Sequence, residues 1–169
     1  MTFITLIRHG QTDWNLARRI QGSTDIPLND KGRADAHRAA GHLAATPHHA
    51  IYSSPLLRAK ETAEIIAAEL GLELAGVVPD VREREFGEGE GMLVSEYIST
   101  YGDWHAEVPG AESLHAVGVR AIAALDGVEL VAASGVYETA ALKPHGIDPD
   151  APAYLNAVVA VDTVLSPRA

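Results

Sequence analysis

The sequence has no cysteine among its 169 residues, which excludes disulfide bonds and thiolate-based sites. It has no apolar run long enough to span a bilayer. No basic segment precedes an apolar stretch near the N-terminus, as it would in a signal peptide. Aromatic residues make up only 5% of the chain. These absences fit a reducing compartment, and we expect a cytoplasmic protein.

Positive charge is also scarce, with 13 Lys and Arg against 23 Asp and Glu, which gives a formal net charge of −10. A uniformly acidic surface repels nucleic acid and anionic membranes, so we expect neither as a partner. An anionic substrate would need a local cluster of basic side chains. The eight histidines show no metal-ligand spacing.

The chain length and an apolar fraction of 47% predict one domain over residues 1–169, with a buried core. Short β-branched runs alternate with helical patterns, which predicts an α/β fold, a three-layer α/β/α sandwich with a mostly parallel central sheet. The predicted strands are 3–7, 50–52, 129–133 and 157–164, and the predicted helices are 30–46, 54–70, 95–101 and 112–126. A short helix is predicted between the last two strands.

The tripeptide Arg8-His9-Gly10 follows the first predicted strand, at the edge where open α/β sheets place ligands. Arginine presents a planar charged fork that matches phosphate oxygens. A neutral histidine can attack phosphorus, provided that a group such as a backbone carbonyl near the glycine holds its other ring nitrogen as a donor. Gly10 lets backbone and ligand approach closely. The alternative is a polar strand end without chemistry.

Two later segments bring further polar residues to the same edge. Ser54-Pro55 opens a helix with a candidate N-cap, and Arg58 lies in its first turn. The segment Glu83-Arg84-Glu85 ends an extended run before a glycine-rich loop. A buried carboxyl there, with a raised pKa, would protonate a leaving oxygen. The alternatives are a solvated arginine at 58 and an exposed charged strand edge at 83–85.

The long first loop carries Gln21-Gly22-Ser23-Thr24-Asp25, which forms either a rim for substrate contacts or an ordinary turn. Asn15 lies just behind the histidine tripeptide. These residue types offer amide, hydroxyl and backbone groups to a bound anion.

With these motifs in this order, the chain resembles the histidine phosphatase superfamily, the clan of the cofactor-dependent phosphoglycerate mutases and related phosphatases. The resemblance runs from Ile4 to about Val164 and also includes Pro109-Gly110-Ala111-Glu112-Ser113. It implies the following roles: His9 as phosphorylated nucleophile, Arg8 and Arg58 as clamps on the phosphoryl oxygens, Glu83 as proton donor, and Gly10, Asn15, Gln21 and Gly22 as substrate contacts. The first loop looks more like the broad phosphatase branch than like the glycolytic mutases.

The sequence departs from the family pattern at one position. The family has a second active-site histidine after a late strand, in a Ser-His-Gly context. Here the matching stretch ends in Ala133-Ser134-Gly135, so Ser134 stands where histidine is expected. His145 also precedes a glycine, but it is interpreted as a loop residue. Serine is shorter and uncharged, so we expect Ser134 to contact substrate but to weaken turnover.

Three functions are compatible with the sequence. The first is a phosphomonoesterase acting on a small phosphorylated metabolite through phosphohistidine at His9. The second is a mutase that returns the phosphoryl group to substrate. The third is a phosphate-binding pseudoenzyme, favoured by Ser134. We expect no metal or other cofactor, because arginines supply the charge that a metal would bring. Substrate identity and oligomeric state are not encoded in any motif of the sequence.

Overall fold

The computed structural model of the chain describes residues 4–124 throughout and, beyond them, the backbone of six strands between residues 128 and 163. By backbone contacts the chain divides into two compact units. One is Ile7–Asp126, and the other comprises Met1–Leu6 with Gly127–Ala169. The prediction of one domain over residues 1–169 stays a prediction. Among the described residues, no helix is both long and apolar enough to cross a membrane.

The described chain begins with an irregular segment. Residues 4–7 fall in the predicted first strand, but they form no regular structure. Leu6 is 73% exposed and Ile7 is 46% exposed. A strand needs a neighbour to pair its backbone groups, and within the described chain no strand pairs with this segment. The prediction of a strand here is therefore wrong for residues 4–7.

Two helices follow the segment. Helix α1 (Asp13–Leu16) begins at Thr12, whose side chain accepts a hydrogen bond from the Asn15 backbone in a capping box. Helix α2 (Asp30–Leu43) begins at Asn29, whose side chain accepts from the Gly32 backbone N–H. Helix α2 confirms the helix predicted over 30–46, apart from its last turn.

A parallel β–α–β unit forms the centre of the larger unit. Strand β1 (Ile51–Ser53) pairs in parallel with β2 (Leu74–Val77), and helix α3 (Leu57–Glu69) is the crossover between them. Helices α2 and α3 pack against each other. The α/β class is confirmed, with mixed helices and strands and a parallel sheet.

Helix α3 buries only part of the face that its apolar residues predict. The sequence pattern favours Ala59, Ala63, Ile66 and Leu70, but the buried residues are Arg58, Thr62, Ala63, Ile66 and Ala67. Two of these are polar, and both contact the loops that carry the site. Ser54 does not cap the helix. The N-cap residue is Leu56, and the Asp25 carboxylate accepts the hydrogen bond from the Leu57 backbone N–H at 2.7 Å.

The remaining part of the larger unit is built on aromatic packing. Single 3₁₀ turns at Pro79–Val81 and Gly87–Gly89 precede helix α4 (Val94–Tyr101) and helix α5 (Leu114–Ala123). Tyr97 of α4 is fully buried beside Ile20 and Val108. Phe86 and Trp104 also pack on the Tyr97 ring, at centroid distances of 6.0 and 5.2 Å.

Helix α5 is shorter than the helix predicted over 112–126, because Ser113 caps it by accepting from the Ala116 backbone N–H. The sequence pattern predicted an inward face that included Leu114 and Val117. No side chain of α5 is buried, and Leu114 is 48% exposed.

The strands described in the second unit pair in antiparallel fashion. Strand β3 (Val128–Ala133) pairs with β8 (Val159–Thr163), which confirms strands in the two last predicted positions. Between them the described residues form the short strands β4 (Tyr137–Thr139), β5 (Leu142–Lys143), β6 (Gly146–Ile147) and β7 (Tyr154–Asn156). Strand β4 pairs with β7, and β5 pairs with β6. The described residues in this interval are strands, not the predicted short helix.

Candidate active site

His9 is half-buried, and one of its ring nitrogens is already occupied. Its Nδ1 lies 2.7 Å from the Gly10 carbonyl oxygen. A carbonyl can only accept, so Nδ1 carries the proton and donates it, and Nε2 keeps a free lone pair. This is the arrangement that the sequence predicted for a histidine nucleophile. A cavity of about 140 Å³ opens beside the ring, lined in part by Arg8, Gln11, Asp35 and Thr62.

Burial keeps this imidazole neutral. The pKa of His9 is lowered from 6.5 to about 4, chiefly by desolvation and in smaller part by the positive charges of Arg58 and Arg8. The hydrogen bond to the Gly10 carbonyl acts in the opposite direction but is outweighed. Above this pKa the ring is unprotonated, which is the form that can attack phosphorus.

Arg58 is almost completely enclosed, with 1% of its surface exposed. Its Nη2 donates to the Gly22 carbonyl at 2.7 Å, and its Nη1 donates to the Thr24 carbonyl at 3.0 Å. Its buried Nε has no hydrogen-bond partner among the described residues. Burial lowers the pKa of Arg58, and the like charge of Arg8 adds to this, against the carboxylates of Glu83, Asp25 and Glu90. A buried cation with an open donor suits an anionic ligand.

Arg8 is the more accessible of the two arginines. Its side chain is exposed, and its positive charge acts on both His9 and Arg58. The structure thus brings together the three residues that the sequence placed at the phosphate. In an acidic chain, Arg8 and Arg58 form the local positive cluster that an anionic substrate requires.

Of the predicted contact residues in the first loop, Gly22 contacts Arg58, whereas Asn15 and Gln21 bond to Thr12. Gly22 offers its carbonyl to Arg58. The fully buried Thr12 hydroxyl donates to the Gln21 side-chain oxygen, and the buried Nε2 of Gln21 lacks a partner in the described part of the chain. The Asn15 Oδ1 accepts from the Thr12 backbone N–H at 3.1 Å, so this oxygen is used to cap α1.

A sequence profile of the histidine phosphatase superfamily (branch 1) matches residues 4–142. The chain belongs to this superfamily. It is 44% identical over 103 residues to the uncharacterized phosphatase PhoE of Bacillus subtilis (strain 168), which covers 61% of this chain and 53% of PhoE. It is 35% identical over 134 residues to 2,3-bisphosphoglycerate-dependent phosphoglycerate mutase 2 of Gloeobacter violaceus (strain ATCC 29082 / PCC 7421), covering 72% of this chain and 61% of that protein.

The chain therefore spans less than two thirds of the length of both relatives. Its fold is similar to that of a solved mycobacterial protein, the glucosyl-3-phosphoglycerate phosphatase Rv2419c in complexes with VO3. The TM-score is 0.62 at 30% identity, over 69% of this chain and 62% of that one. This likeness agrees with the predicted α/β sandwich.

Glu83, which the family resemblance suggests as proton donor, is exposed. Its Oε1 accepts from the Arg84 backbone N–H at 2.8 Å, so the side chain turns back on its own segment. The predicted desolvation of this carboxyl is therefore not found. Its charge does act on Arg58. The Glu83 carbonyl accepts from Arg120 Nη2 at 3.1 Å, which ties this segment to α5.

Arg84 is one of the residues whose role the sequence did not indicate. The sequence allowed an exposed strand edge at 83–85, but Arg84 is only 6% exposed. Its Nε donates to the Glu112 carbonyl and its Nη1 to the Trp104 carbonyl, at 2.7 and 2.9 Å. The guanidinium also lies 5.1 Å from the centre of the Phe86 ring. Arg84 thus holds loops together and does not face a ligand.

Thr62 and Glu90 hold other residues of the site in place, and Thr62 also lines the cavity beside His9. The Thr62 hydroxyl accepts from the Gly10 backbone N–H at 3.1 Å and donates to the Arg58 carbonyl at 2.7 Å, so it links the backbone beside His9 to the backbone of Arg58. Glu90 binds the loop at 22–24. The bond between Thr62 and Gly10 and the bonds from Glu90 to the loop join residues more than fifty positions apart, so no local sequence pattern could reveal them.

Ser134, which stands in place of the expected second histidine, lies outside the described residues, as does His145.

Proposed function

We propose that the protein is a phosphomonoesterase that acts on a small phosphorylated metabolite through a phosphohistidine at His9. The observation that carries this proposal is the neutral ring of His9, held by the Gly10 carbonyl and flanked by the charges of Arg8 and Arg58. Membership of the superfamily and the likeness to phosphatases support it. The lack of cysteine supports a cytoplasmic location.

The proposed reaction has two steps. His9 Nε2 attacks phosphorus, the ester P–O bond breaks, and the leaving oxygen takes a proton from Glu83. Water then attacks the phosphohistidine and returns a proton to the Glu83 carboxylate, the N–P bond breaks, and inorganic phosphate leaves. Arg8 and Arg58 offset the charge on the transferring oxygens in both steps, as preorganised donors do. Gly10, Asn15, Gln21 and Gly22 line the approach to the phosphoryl group. No step needs a metal or other cofactor.

Trapping the intermediate tests the proposal. The protein is mixed with an aryl phosphate that carries a labelled phosphorus and is then denatured in alkali, where phosphohistidine survives. We expect label on the peptide that contains His9, and no label and no phosphate release in His9→Ala. His42→Ala, which alters an exposed histidine of α2, is the matched control and should behave as wild type. Phosphate release at the wild-type rate by His9→Ala would refute the proposal.

A mutase is the second candidate, because the chain is 35% identical to a phosphoglycerate mutase over 134 residues. The two activities share the first step and differ in whether water or a substrate hydroxyl receives the phosphoryl group. Product analysis with 3-phosphoglycerate separates them: free phosphate indicates the phosphatase, and 2-phosphoglycerate indicates the mutase.

The serine at position 134 keeps the pseudoenzyme as a further candidate. A lost preorganised donor costs about 10²–10³ in rate. If the chain turns over slowly for this reason, Ser134→His should raise its turnover number with little change in phosphate binding. Unchanged turnover would show that position 134 does not limit the reaction.

A further inference from the structure

We propose that Glu90 is a positioning residue of the phosphate site, which holds the loop at residues 22–24 so that two of its carbonyls orient the guanidinium of Arg58. The inference rests on the proposed function, because it gives Glu90 an effect on phosphate binding through Arg58. Nothing in the sequence singles out this glutamate from its acidic neighbours in the glycine-rich loop.

Both carboxylate oxygens of Glu90 accept hydrogen bonds from the loop or from its own segment. Oε1 accepts from the backbone N–H of Ser23 at 2.7 Å and of Phe86 at 3.2 Å, and from the Ser23 hydroxyl at 3.3 Å. Oε2 accepts from the Thr24 backbone N–H at 3.0 Å and from the Thr24 hydroxyl. A carboxylate that accepts this many bonds fixes the backbone of the loop in one position.

The same loop supplies the acceptors for Arg58. The Gly22 carbonyl accepts from Nη2 of Arg58, and the Thr24 carbonyl accepts from Nη1. Gly22 packs so closely that an added Cβ would lie 2.1 Å from the Glu90 Oε1. Because Nη1 and Nη2 are both fixed by carbonyls, the direction of the buried, unpartnered Nε is fixed as well. Glu90 therefore acts, through the loop, on the orientation of the guanidinium nitrogen that has no hydrogen-bond partner among the described residues.

Charge supports the same role. The Glu90 carboxylate acts on the Arg58 charge, together with those of Glu83 and Asp25. Burial raises the pKa of Glu90, but the hydrogen bonds from Thr24, Phe86 and Ser23 outweigh burial and lower it, which keeps the group ionised. The negative charge of Glu90 thus acts on the buried arginine without forming a hydrogen bond to its unpartnered Nε.

Titration of Glu90→Gln with inorganic phosphate in a calorimeter tests the inference. Glutamine replaces one acceptor oxygen by a donor, which would face the N–H and hydroxyl donors of the loop. We expect phosphate to bind about tenfold more weakly or worse, on the scale of a lost charge-assisted bond. The matched control is Glu88→Gln, which removes one exposed charge from the same loop and should leave the affinity unchanged. Wild-type affinity in Glu90→Gln would overturn the inference.

A double-mutant cycle with Arg58→Lys separates positioning from general loop stability. If Glu90 acts through Arg58, adding Glu90→Gln to Arg58→Lys should weaken phosphate binding by less than about twofold. Full additivity of the two losses would overturn the inference while leaving the phosphate site itself in place. Unchanged affinity in Arg58→Lys alone would instead remove Arg58 from the site and contradict the proposed function.

A milder variant covers the case in which Glu90→Gln does not fold, as judged by its thermal unfolding. Thr24→Val keeps the backbone donor and the side-chain shape but removes the hydroxyl that bonds to Glu90. We expect it to weaken phosphate binding by about threefold, since one of several bonds is lost, and to shift the Arg58 Nε–H signal in nitrogen–proton correlation spectra. An unchanged affinity together with an unchanged signal would overturn the inference.

Discussion

The protonation of His9 couples the site to the stability of the fold. In the unfolded chain its pKa is 6.5, and in the folded protein burial lowers the pKa to about 4. Between these values the unfolded state binds more protons than the folded state. The stabilisation that comes from keeping the ring neutral is therefore complete above pH 6.5 and is lost as the pH falls towards 4.

Replacing His9 should change this pH dependence. We expect wild type to lose unfolding free energy relative to His9→Asn as the pH falls from 6.5 to about 4. Urea denaturation at a series of pH values measures this difference. His42→Asn, which alters an exposed histidine, should show no such trend because its side chain is solvated in both states. A constant difference for His9→Asn would contradict the buried, neutral histidine.

Glu83 makes a prediction about leaving groups. Its carboxyl is exposed, but its charge acts on Arg58, one of the residues that we propose for the phosphate site. If it protonates the leaving oxygen, Glu83→Gln should slow hydrolysis of an alkyl phosphate by about 10²-fold or more. The same variant should slow an activated aryl phosphate far less, because that leaving group needs no proton. The measurement is the ratio of kcat/KM for the two esters.

A neighbouring glutamate provides the control for this experiment. Glu85→Gln makes the same change two residues away, at a carboxylate that pairs with Arg82 at 3.3 Å. It should leave the ratio of the two esters unchanged. Equal losses on both esters in Glu83→Gln would show that this residue only positions the substrate.

At the scale of the elements, the site depends on a close approach between the His9 loop and the start of α2. A Cβ added at Gly32 would lie 2.1 Å from the Gln11 carbonyl oxygen, and one added at Gly10 would lie 2.3 Å from the Gly32 carbonyl oxygen. Only glycine fits at this crossing. The approach fixes the backbone that carries His9 against a rigid helix.

Two glycine substitutions in α2 should therefore have opposite effects. Gly32→Ala should destabilise the protein by about 1–3 kcal/mol, because a backbone carbonyl cannot move aside as a side chain can. Gly41→Ala, in the same helix with no heavy atom within 4 Å of the added Cβ, should stabilise it by about 0.5–1 kcal/mol through helix propensity. Chemical denaturation measures both values. Stabilisation by both substitutions would show that the crossing is looser than described.

Local patterns predicted some elements better than others. Helix α2 follows its sequence pattern because Asn29 caps it and Ala36 and Ala40 supply a small buried face. The buried face of α3 was predicted only in part, because bonds to distant loops also bury two polar residues there. The apolar run at 4–7 has strand composition, but composition alone supplies no partner for its backbone groups.

At the scale of the whole molecule, the net charge of −10 predicts a response to salt. Like charges repel each other in the compact state, and the Debye length falls from about 30 Å at 0.01 M salt to about 8 Å at 0.15 M. Exposed ion pairs such as Lys31 with Asp35 also weaken, but each contributes little. We expect the Tm at pH 7 to rise over this range of sodium chloride.

The same series of sodium chloride concentrations, measured near the isoelectric point, is the control. At pH 5, close to the sequence pI of 5.1, the net charge is small and the rise should largely disappear. A Tm that falls with salt at pH 7 would show that attractive ion pairs outweigh the net repulsion.

The sequence by itself determined the family, the α/β class and the candidate tripeptide at 8–10, because these depend on residues that are adjacent or regularly spaced. It placed Arg8, His9 and Arg58 at one site, since each follows a strand-like run or opens a helix, and in the structure the charges of the two arginines act on the His9 ring. The family pattern also identified the serine at position 134 as a departure.

Only the tertiary structure decided which polar groups are buried and what they hold. The burial of Arg84, the link through Thr62 and the hydrogen bonds of Glu90 to the loop at 22–24 all join segments that are distant in sequence. The exposure of Glu83 was decided in the same way. The physical reason is that a charged side chain in a loop carries no periodic signal. Its burial depends on which donors and acceptors the folded chain brings within about 3 Å of it.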